Sequence, residues 1–386
     1  MQGKPAPKIY EQSEINFQAF RRGVLRDATP GNKKSNSMKT PINKVLIFSP
    51  NWIGDVVMSS PIVNSIKTSY PNSHIVMIAN SYVFSLWESN VFIDELWRFD
   101  AVKTCKNMLE CYQLFKKIRQ RNFNTAIILS GNMRFPLIAF LAGIKRRLGF
   151  GARCNRIFLT DVVKYNRRLK NKHMVDVYSS ILGCKGSTAG VKELSLKIND
   201  ADADSANMLL KENGITPEDL LVGVAPGAIY GKTKRWPKEN YAKLSDEIIE
   251  KHHAKIVIFT APSEQEITSE VKSLMRNKPI VVDNATNLRV IACLIKRCAV
   301  LITNDSGLMH IAAAVKTNTV AIFGSTSPAF TGPYGDSHII LKKSISCSPC
   351  FKKACPFNTY ECLASITTEE AFSAVDFQLK RICCNA

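Results

Sequence analysis

The chain has 386 residues, of which 45% are hydrophobic and 22% are charged. This balance excludes disorder over the whole length and permits two or three domains with sizeable cores. The 52 Lys and Arg residues against 32 Asp and Glu give a net charge of +20. Such a charge indicates an anionic partner, which is a nucleic acid, a phosphorylated small molecule or an anionic membrane surface.

The first 43 residues differ in character from the rest. They are polar and turn-rich and show no strong hydrophobic period before Lys44, which predicts a flexible basic extension over residues 1–43. No apolar run follows the first basic residues, so we expect no signal peptide and a protein that stays in the cytoplasm. The longest apolar stretch, residues 135–144, is shorter than the roughly 18–20 residues of a membrane helix and predicts a buried helix.

From Lys44 onward, short apolar runs alternate with amphipathic stretches. The predicted strands are residues 45–49, 74–79, 95–99 and 125–130, and the predicted helices are residues 56–70, 107–121 and 134–143. This alternation predicts βαβ units, and therefore a parallel sheet with helices on both faces.

The pattern is lost in a basic stretch, residues 145–173, which holds ten Lys and Arg and one Asp. A helix is predicted over residues 174–182, and the junction between domains is expected within residues 183–220. A second alternating run follows, with strands at 220–226, 254–260, 279–283, 299–304 and 318–324, and helices at 201–213, 238–252, 264–276, 288–297 and 307–315.

These patterns predict two doubly wound domains, residues 44–190 and 191–345. A Cys-rich loop and a C-terminal helix follow in residues 346–386. Two such domains facing each other would form a cleft at the carboxyl ends of their strands, where open α/β sheets bind ligands.

The first loop of interest is SPNWIGDVVM, residues 49–58. Gly54 permits a tight turn, and Asp55 falls in the first turn of the next helix. Asp55 therefore has two interpretations, a helix cap or a general base that faces a ligand.

The second loop is APGAIYGKTKRWP, residues 225–237. Only three residues separate Gly227 from Gly231, whereas the nucleotide-binding P-loop needs four, so an NTPase is excluded. The glycines and the cations around Lys234 suit a phosphate or diphosphate. The alternative is a solvated basic turn.

The third loop is TNDSGLMHIAAA, residues 303–314. Asp305 or Ser306 is expected to cap the helix that leaves it, and the remaining N–H groups would point at a ligand. For His310, one turn inside the helix, a structural role is favoured over a catalytic one. A nicotinamide cofactor is not expected, because Cys154 stands where the third glycine of its motif would follow Gly149 and Gly151.

Four cysteines lie close together near the C-terminus, Cys347, Cys350, Cys355 and Cys362. Four thiols could bind a zinc ion tetrahedrally, but their spacing does not match the two-pair pattern. Unligated thiols and a regulatory disulfide remain as alternatives.

Taken together, the loops resemble those of the lipopolysaccharide heptosyltransferases, and most closely the ADP-heptose:LPS heptosyltransferase II branch. The resemblance covers residues 44–381 and rests on the segments PNWIGD (50–55), PGA (226–228), KRWP (234–237), TNDSGLMH (303–310) and GSTSP (324–328), together with Gly231.

The resemblance implies a GT-B fold, in which two Rossmann-like domains face an interdomain cleft. It implies inverting transfer of L-glycero-D-manno-heptose from ADP-heptose to the first heptose of the lipopolysaccharide inner core, with no metal or cofactor. The implied partners are ADP-heptose, a lipid A–Kdo–heptose acceptor held in the first domain, and the anionic inner membrane, touched peripherally at its cytoplasmic face.

The resemblance also assigns roles to single residues. Asp55 would be the catalytic base. The residues that would bind the donor are Gly227, Lys234, Glu264, Asp305, Ser306, Gly307, Met309 and His310. Among these, Lys234 and the helix start at Ser306 would oppose the diphosphate charge, and Glu264 would bind the ribose hydroxyls.

Two alternatives are open. A sibling enzyme such as heptosyltransferase I would share these loops, because the acceptor is chosen in the first domain. A basic nucleic-acid-binding protein would explain the charge. However, the basic residues do not alternate with aromatic residues in a recognisable module, so no nucleic-acid partner is expected.

Overall fold

The computed structural model describes residues 42–100, 108–151, 155–163, 172–182, 193–282 and 287–385. The chain divides into two compact units, Met1–Glu193 and Leu194–Ala386. Nearly all of the predicted N-terminal extension lies outside the described residues, as do Cys154 and the middle of the basic stretch.

The first unit is built on a six-stranded sheet. Its strands are β1 (Lys44–Phe48), β2 (His74–Ala79), β3 (Glu95–Arg98), β4 (Thr125–Ile128), β5 (Arg146–Phe150) and β6 (Asp161–Val163). They lie in the order β3-β2-β1-β4-β5-β6, and every neighbouring pair is parallel. The strand order reverses between β1 and β4, which is the point where doubly wound sheets bind ligands.

Helices cover both faces of this sheet. They are α1 (Ile53–Ser59), α2 (Pro61–Ser69), α3 (Ser85–Glu88), α4 (Met108–Gln120), α5 (Arg134–Leu141) and α6 (Met174–Ser179). The single helix predicted over residues 56–70 is therefore wrong, because two helices meet at Ser60. The reason is Pro61, which has no N–H group to continue the first helix but suits the first turn of the second.

The buried helix predicted at residues 135–144 forms, but it is buried on one side only. Phe135 and Ala139 of α5 belong to the core beneath the sheet. Leu137, Phe140 and Leu141 are 36%, 47% and 55% exposed. The helix is therefore apolar on both faces, and the fold of this unit covers one of them.

The second unit repeats the same topology. Its strands are β7 (Leu221–Ala225), β8 (Lys255–Phe259), β9 (Ile280–Val282), β10 (Val300–Asn304), β11 (Asn318–Phe323) and β12 (Ile339–Lys342). They lie in the order β12-β11-β10-β7-β8-β9, again with parallel neighbours. The strand order reverses between β10 and β7, so the prediction of two doubly wound domains is confirmed.

The helices of the second unit complete its core. They are α7 (Asp200–Glu212), α8 (Lys238–His252), α9 (Gln265–Leu274), α10 (Leu288–Arg297), α11 (Gly307–Ala314), α12 (Pro328–Thr331), α13 (Glu361–Ala364) and α14 (Thr368–Asn385). The C-terminal helix α14 packs Ala371, Val375 and Leu379 against the buried side chains of the sheet. Among the described residues, no helix has the length and apolar character needed to cross a bilayer.

Candidate functional site

The loop after β1 places Asp55 inside the first unit. Asp55 is the third residue of α1 and is only 9% exposed. The N-cap position of this helix belongs to Trp52, which makes no side-chain capping bond. Asp55 is therefore not the helix cap. A carboxylate in the first turn nevertheless interacts favourably with the helix dipole.

Asp55 lines a pocket at the carboxyl ends of β1 and β4. The pocket is small and open to solvent, and it is lined by Pro50, Asn51, Trp52, Asp55, Leu129, Ser130, Gly131 and Tyr178. Aromatic rings and one carboxylate are groups that bind a sugar and accept a proton from its hydroxyl. The pocket lies at the reversal of strand order, where a ligand is expected.

A buried hydrogen-bond chain supports the loop that forms this pocket. The indole Nε1 of Trp87 donates to Ser49 Oγ over 2.9 Å, and Ser49 Oγ donates to the carbonyl of Pro50 over 2.9 Å. Sequence analysis missed Trp87, because it lies on α3, well separated in sequence from the loop that it supports.

In the second unit, Lys234 and Asp305 form a buried ion pair. Lys234 Nζ lies 2.6 Å from Asp305 Oδ2, and both side chains are less than 10% exposed. The same ammonium donates to the Asp305 carbonyl over 3.3 Å and lies 4.7 Å from the centre of the Tyr230 ring. A solvated basic turn is therefore the wrong interpretation for Lys234.

Two threonines complete the surroundings of the Asp305 carboxylate. Thr326 Oγ1 donates to Asp305 Oδ2 over 2.7 Å, and Thr331 Oγ1 donates to the same oxygen over 3.3 Å. Burial raises the pKa of Asp305, but the Lys234 ammonium and the Thr326 hydroxyl outweigh it and hold the pKa below its usual value. The carboxylate is thus ionised, and it fixes the position of the Lys234 ammonium.

Asn304 ties the second loop to the end of β10. Its amide Nδ2 donates to the carbonyl of Pro226 over 2.7 Å, and its Oδ1 accepts from the backbone N–H of Trp236 over 3.1 Å. Asn304 is fully buried. From sequence, Asn304 was identified only as one residue of the third loop. Its bridging role could not be predicted, because it depends on β10 and β7 being neighbours in the sheet.

Gly227 and Glu264 meet at the carboxyl ends of the neighbouring strands β7 and β8. A Cβ atom on Gly227 would lie 2.2 Å from the Glu264 carboxyl carbon, so glycine is needed here for close approach. Glu264 is buried, and this burial raises the pKa of its carboxyl. The positive charge of Arg235 lowers that pKa, but by less than burial raises it. The predicted donor residues Gly227, Lys234, Glu264 and Asp305 therefore lie at the carboxyl ends of three adjacent strands.

The start of α11 adds backbone N–H groups to this edge of the sheet. Ser306 occupies the N-cap position without a side-chain capping bond, and the Asp305 carboxylate is committed to Lys234 and the threonines. The expectation that either residue caps the helix by its side chain is wrong. Gly307 at the first helical position and the N–H groups beside it suit an anion.

The two remaining predicted residues are buried inside α11. Met309 packs against Ala321 and Phe323 and is completely buried, so its side chain belongs to the core. His310 is 3% exposed and lies close enough to Asp305 to help lower the pKa of that carboxyl. Both positions agree with structural roles for these side chains beneath the site.

The Cys-rich segment packs against the second loop and accepts hydrogen bonds from it. Tyr230 Oη donates to the carbonyl of Phe351 over 2.8 Å, and Thr233 Oγ1 donates to the carbonyl of Lys352 over 2.5 Å. Gly231 adopts a φ of +152°, and a Cβ there would lie 2.5 Å from the Lys353 carbonyl. The segment therefore holds the backbone that presents Lys234.

The four clustered thiols are free cysteines in this structure. Within the described ranges, no group of three or more His, Cys, Asp or Glu residues could hold a metal ion. Donation from the backbone N–H groups of Tyr360, Phe357 and Thr359 lowers the pKa of the Cys355 thiol.

Comparison with known proteins gives a consistent result. The family model described as glycosyltransferase family 9 (heptosyltransferase) matches residues 111–361. The lipooligosaccharide heptosyltransferase 2 of Haemophilus influenzae is 28% identical over 306 residues, which are 77% of this chain and 88% of that protein.

Solved structures agree with the fold. The family 9 glycosyl transferase from Veillonella parvula has a TM-score of 0.82 at 27% identity, covering 90% of this chain and all of that one. The Escherichia coli ADP-heptose LPS heptosyltransferase II has a TM-score of 0.74 at 23% identity, covering 88% and 99%. The second likeness concerns the fold alone, and the predicted GT-B fold of two Rossmann-like domains is confirmed.

Proposed function

We propose one reaction for this chain, which belongs to glycosyltransferase family 9, the heptosyltransferase family. It moves L-glycero-D-manno-heptose from ADP-heptose to the first heptose of the lipopolysaccharide inner core. The observation that carries this choice is the match to a heptosyltransferase 2 across 77% of the chain. An enzyme of this family is favoured over a nucleic-acid-binding protein, which shares only the net charge.

In this proposal Asp55 activates the acceptor. Inversion at the sugar carbon requires one in-line displacement, in which the acceptor oxygen forms the new bond as the ADP oxygen leaves. Asp55 accepts the proton of the acceptor hydroxyl. Its place in the pocket beside Trp52 and Tyr178 supports this role.

The donor is bound in the second unit. Lys234 and the N–H groups at the start of α11 oppose the charge that develops on the departing diphosphate. Asp305 positions Lys234 through the 2.6 Å ion pair, and the Glu264 carboxylate binds the ribose hydroxyls. The positive charge comes from these groups, and no metal ion or cofactor takes part in the proposed transfer.

The proposal also includes the setting of the reaction. The acceptor is a lipid A–Kdo–heptose core, so the enzyme would work at the cytoplasmic face of the inner membrane through peripheral contact. The basic stretch at residues 145–173, with ten Lys and Arg, belongs to the acceptor unit. Each basic residue near an anionic surface contributes about 1 kcal/mol of attraction.

The test of this function is turnover of ADP-heptose with two defined acceptors. One acceptor carries the first heptose and the other ends in Kdo. We expect release of ADP and heptose transfer with the heptose-terminated acceptor only. Transfer to the Kdo-terminated acceptor instead would make the chain a heptosyltransferase I, and tight sequence-selective RNA binding at physiological salt would favour the other class.

A Gly227→Ala variant tests the proposed role of Glu264. The new Cβ would displace the Glu264 carboxylate, with which it would overlap at 2.2 Å. Because that carboxylate ends a flexible side chain, we expect the melting temperature to change little while the affinity for ADP-heptose falls about tenfold, the loss expected when hydrogen bonds to a charged group are removed. Calorimetric titration measures the affinity.

The control for this variant is Glu264→Ala, alone and combined with Gly227→Ala. If Gly227 acts through Glu264, the double variant binds ADP-heptose no more weakly than Glu264→Ala alone. Additive losses would show that Gly227 contacts the donor by itself, and native affinity in all three variants would exclude both residues from the donor site.

A further inference from the structure

The outer face of α5 is an unusual surface. Met133, Leu137, Phe140 and Leu141 are 40%, 36%, 47% and 55% exposed. Their spacing of four, three and one residues places them along one side of the helix. The opposite side, with Phe135 and Ala139, packs into the core of the first unit. Only one of two apolar faces is thus used in folding.

A short 3-10 helix, Asn155–Phe158, extends this face. The ring of Phe158 lies 5.6 Å from that of Phe140, and the neighbouring Ile157 is 75% exposed. We name the set Met133, Leu137, Phe140, Leu141 and Ile157 the α5 surface. A group of exposed apolar side chains of this kind marks an interaction site.

The charges around the α5 surface are basic. Residues 131–160 contain six Lys and Arg and no Asp or Glu. Lys145 and Arg156 are exposed, and the guanidinium of Arg147 lies 5.3 Å from the centre of the Phe140 ring. The nearest acidic residue that follows, Asp161, pairs with Arg146 at 3.7 Å. Apolar side chains among cations are the composition of a surface that binds anionic lipid headgroups.

The α5 surface begins close to the pocket of Asp55 along the chain. Gly131 lines that pocket, and α5 begins three residues later at Arg134. A membrane bound to the outer face of this helix would therefore meet the same unit that carries the pocket. A lipid-anchored acceptor could then enter it without leaving the bilayer.

We propose that the α5 surface docks the first unit on an anionic lipid surface, with the apolar side chains inserted at headgroup level and Lys145 and Arg156 against lipid phosphates. This inference rests on the proposed function only in taking the acceptor to be a lipid. It names the part of the chain that makes the contact.

The experiment is flotation of the purified full-length protein with vesicles. One set of vesicles is phosphatidylcholine alone, and the other contains phosphatidylglycerol as well. We expect the protein to bind the anionic vesicles. The variant Leu137→Gln/Phe140→Gln/Leu141→Gln should bind them at least about tenfold more weakly, because less apolar surface is buried.

Two further variants separate the contributions. Lys145→Gln/Arg156→Gln should weaken binding at low salt and have little effect at high salt, where charges are screened. Met208→Gln/Leu274→Gln is the matched control, since it removes exposed apolar side chains, 61% and 46% exposed, from α7 and α9 of the other unit. The control should bind vesicles as the native chain does.

Native vesicle binding by the triple variant would overturn the proposal. So would sedimentation showing that the native chain is a dimer and the triple variant a monomer, because the occupant would then be a second copy. Heptose transfer to an acceptor without acyl chains should be unaffected in the triple variant, which also shows that it is folded. If the native chain binds vesicles as expected but transfers no heptose, the proposed function fails and the docking surface stands.

Discussion

Replacement of Asp55 by Ala is expected to lower the rate of heptose transfer by about 10²–10⁴-fold, the usual contribution of a general base. The residue is 9% exposed and lines a pocket that is open to solvent, so its carboxylate can meet an acceptor hydroxyl. Binding of ADP-heptose should persist, because the proposed donor residues belong to the second unit. Steady-state kinetics and calorimetric titration measure the two quantities separately.

The controls for this variant separate catalysis from folding. Asp55→Asn keeps the shape of the side chain and should lose activity to a similar extent. Glu239→Gln removes an exposed acidic residue from the first turn of α8, and it should leave the transfer rate unchanged. Near-native transfer by both Asp55 variants would show that the base is another group.

Replacement of Lys234 by Met is expected to reduce the free energy of unfolding by about 3–5 kcal/mol, as found when one partner of a buried ion pair is removed. The Asp305 carboxylate would stay buried without its cation. Urea denaturation measures the loss. The folded variant should also bind ADP-heptose more weakly and transfer more slowly, because the cation that opposes the diphosphate is missing.

The pH dependence of this loss has a definite sign. In the native chain the pKa of Asp305 lies below its usual value, so its stabilisation is present above the unfolded pKa and is lost as the pH falls through the folded one. Without Lys234, burial favours the neutral carboxyl. The difference in stability between Lys234→Met and the native chain should therefore shrink as the pH falls.

Two further variants test the assignment to the buried pair. Lys238→Met breaks a pair with Glu270 of nearly the same length, 2.7 Å, whose side chains are 34% and 41% exposed, and should change stability very little. The double variant Lys234→Met/Asp305→Asn leaves no buried charge and should recover much of the stability. If Lys234→Met is as stable as Lys238→Met, the buried pair of Lys234 and Asp305 does not stabilise the fold as its geometry indicates.

The sequence by itself determined the class of fold. Most strands of both sheets were predicted, because each strand is a short apolar run that is visible in the local sequence. In the helices between them, apolar residues recur every three to four positions. The strands β5, β6 and β12 were missed, and β5 and β6 begin with charged residues that obscure their short apolar runs. The three loops were also found from sequence, as turn residues that follow buried strands. The roles of Asp55 and the donor residues stay predictions.

What only the tertiary structure decided concerns residues far apart in the chain. Lys234 and Asp305 are separated by 71 residues and Asn304 from Pro226 by 78, and they meet because β10 lies beside β7 in the sheet. The exposed face of α5 is a further case, since periodicity cannot tell which apolar face of a helix the fold will cover. The hydrophobic pattern is a local property of the sequence, and it specifies helices and strands. Strand order and burial depend on how the whole chain packs, and they place a charge or an apolar side chain where it can act.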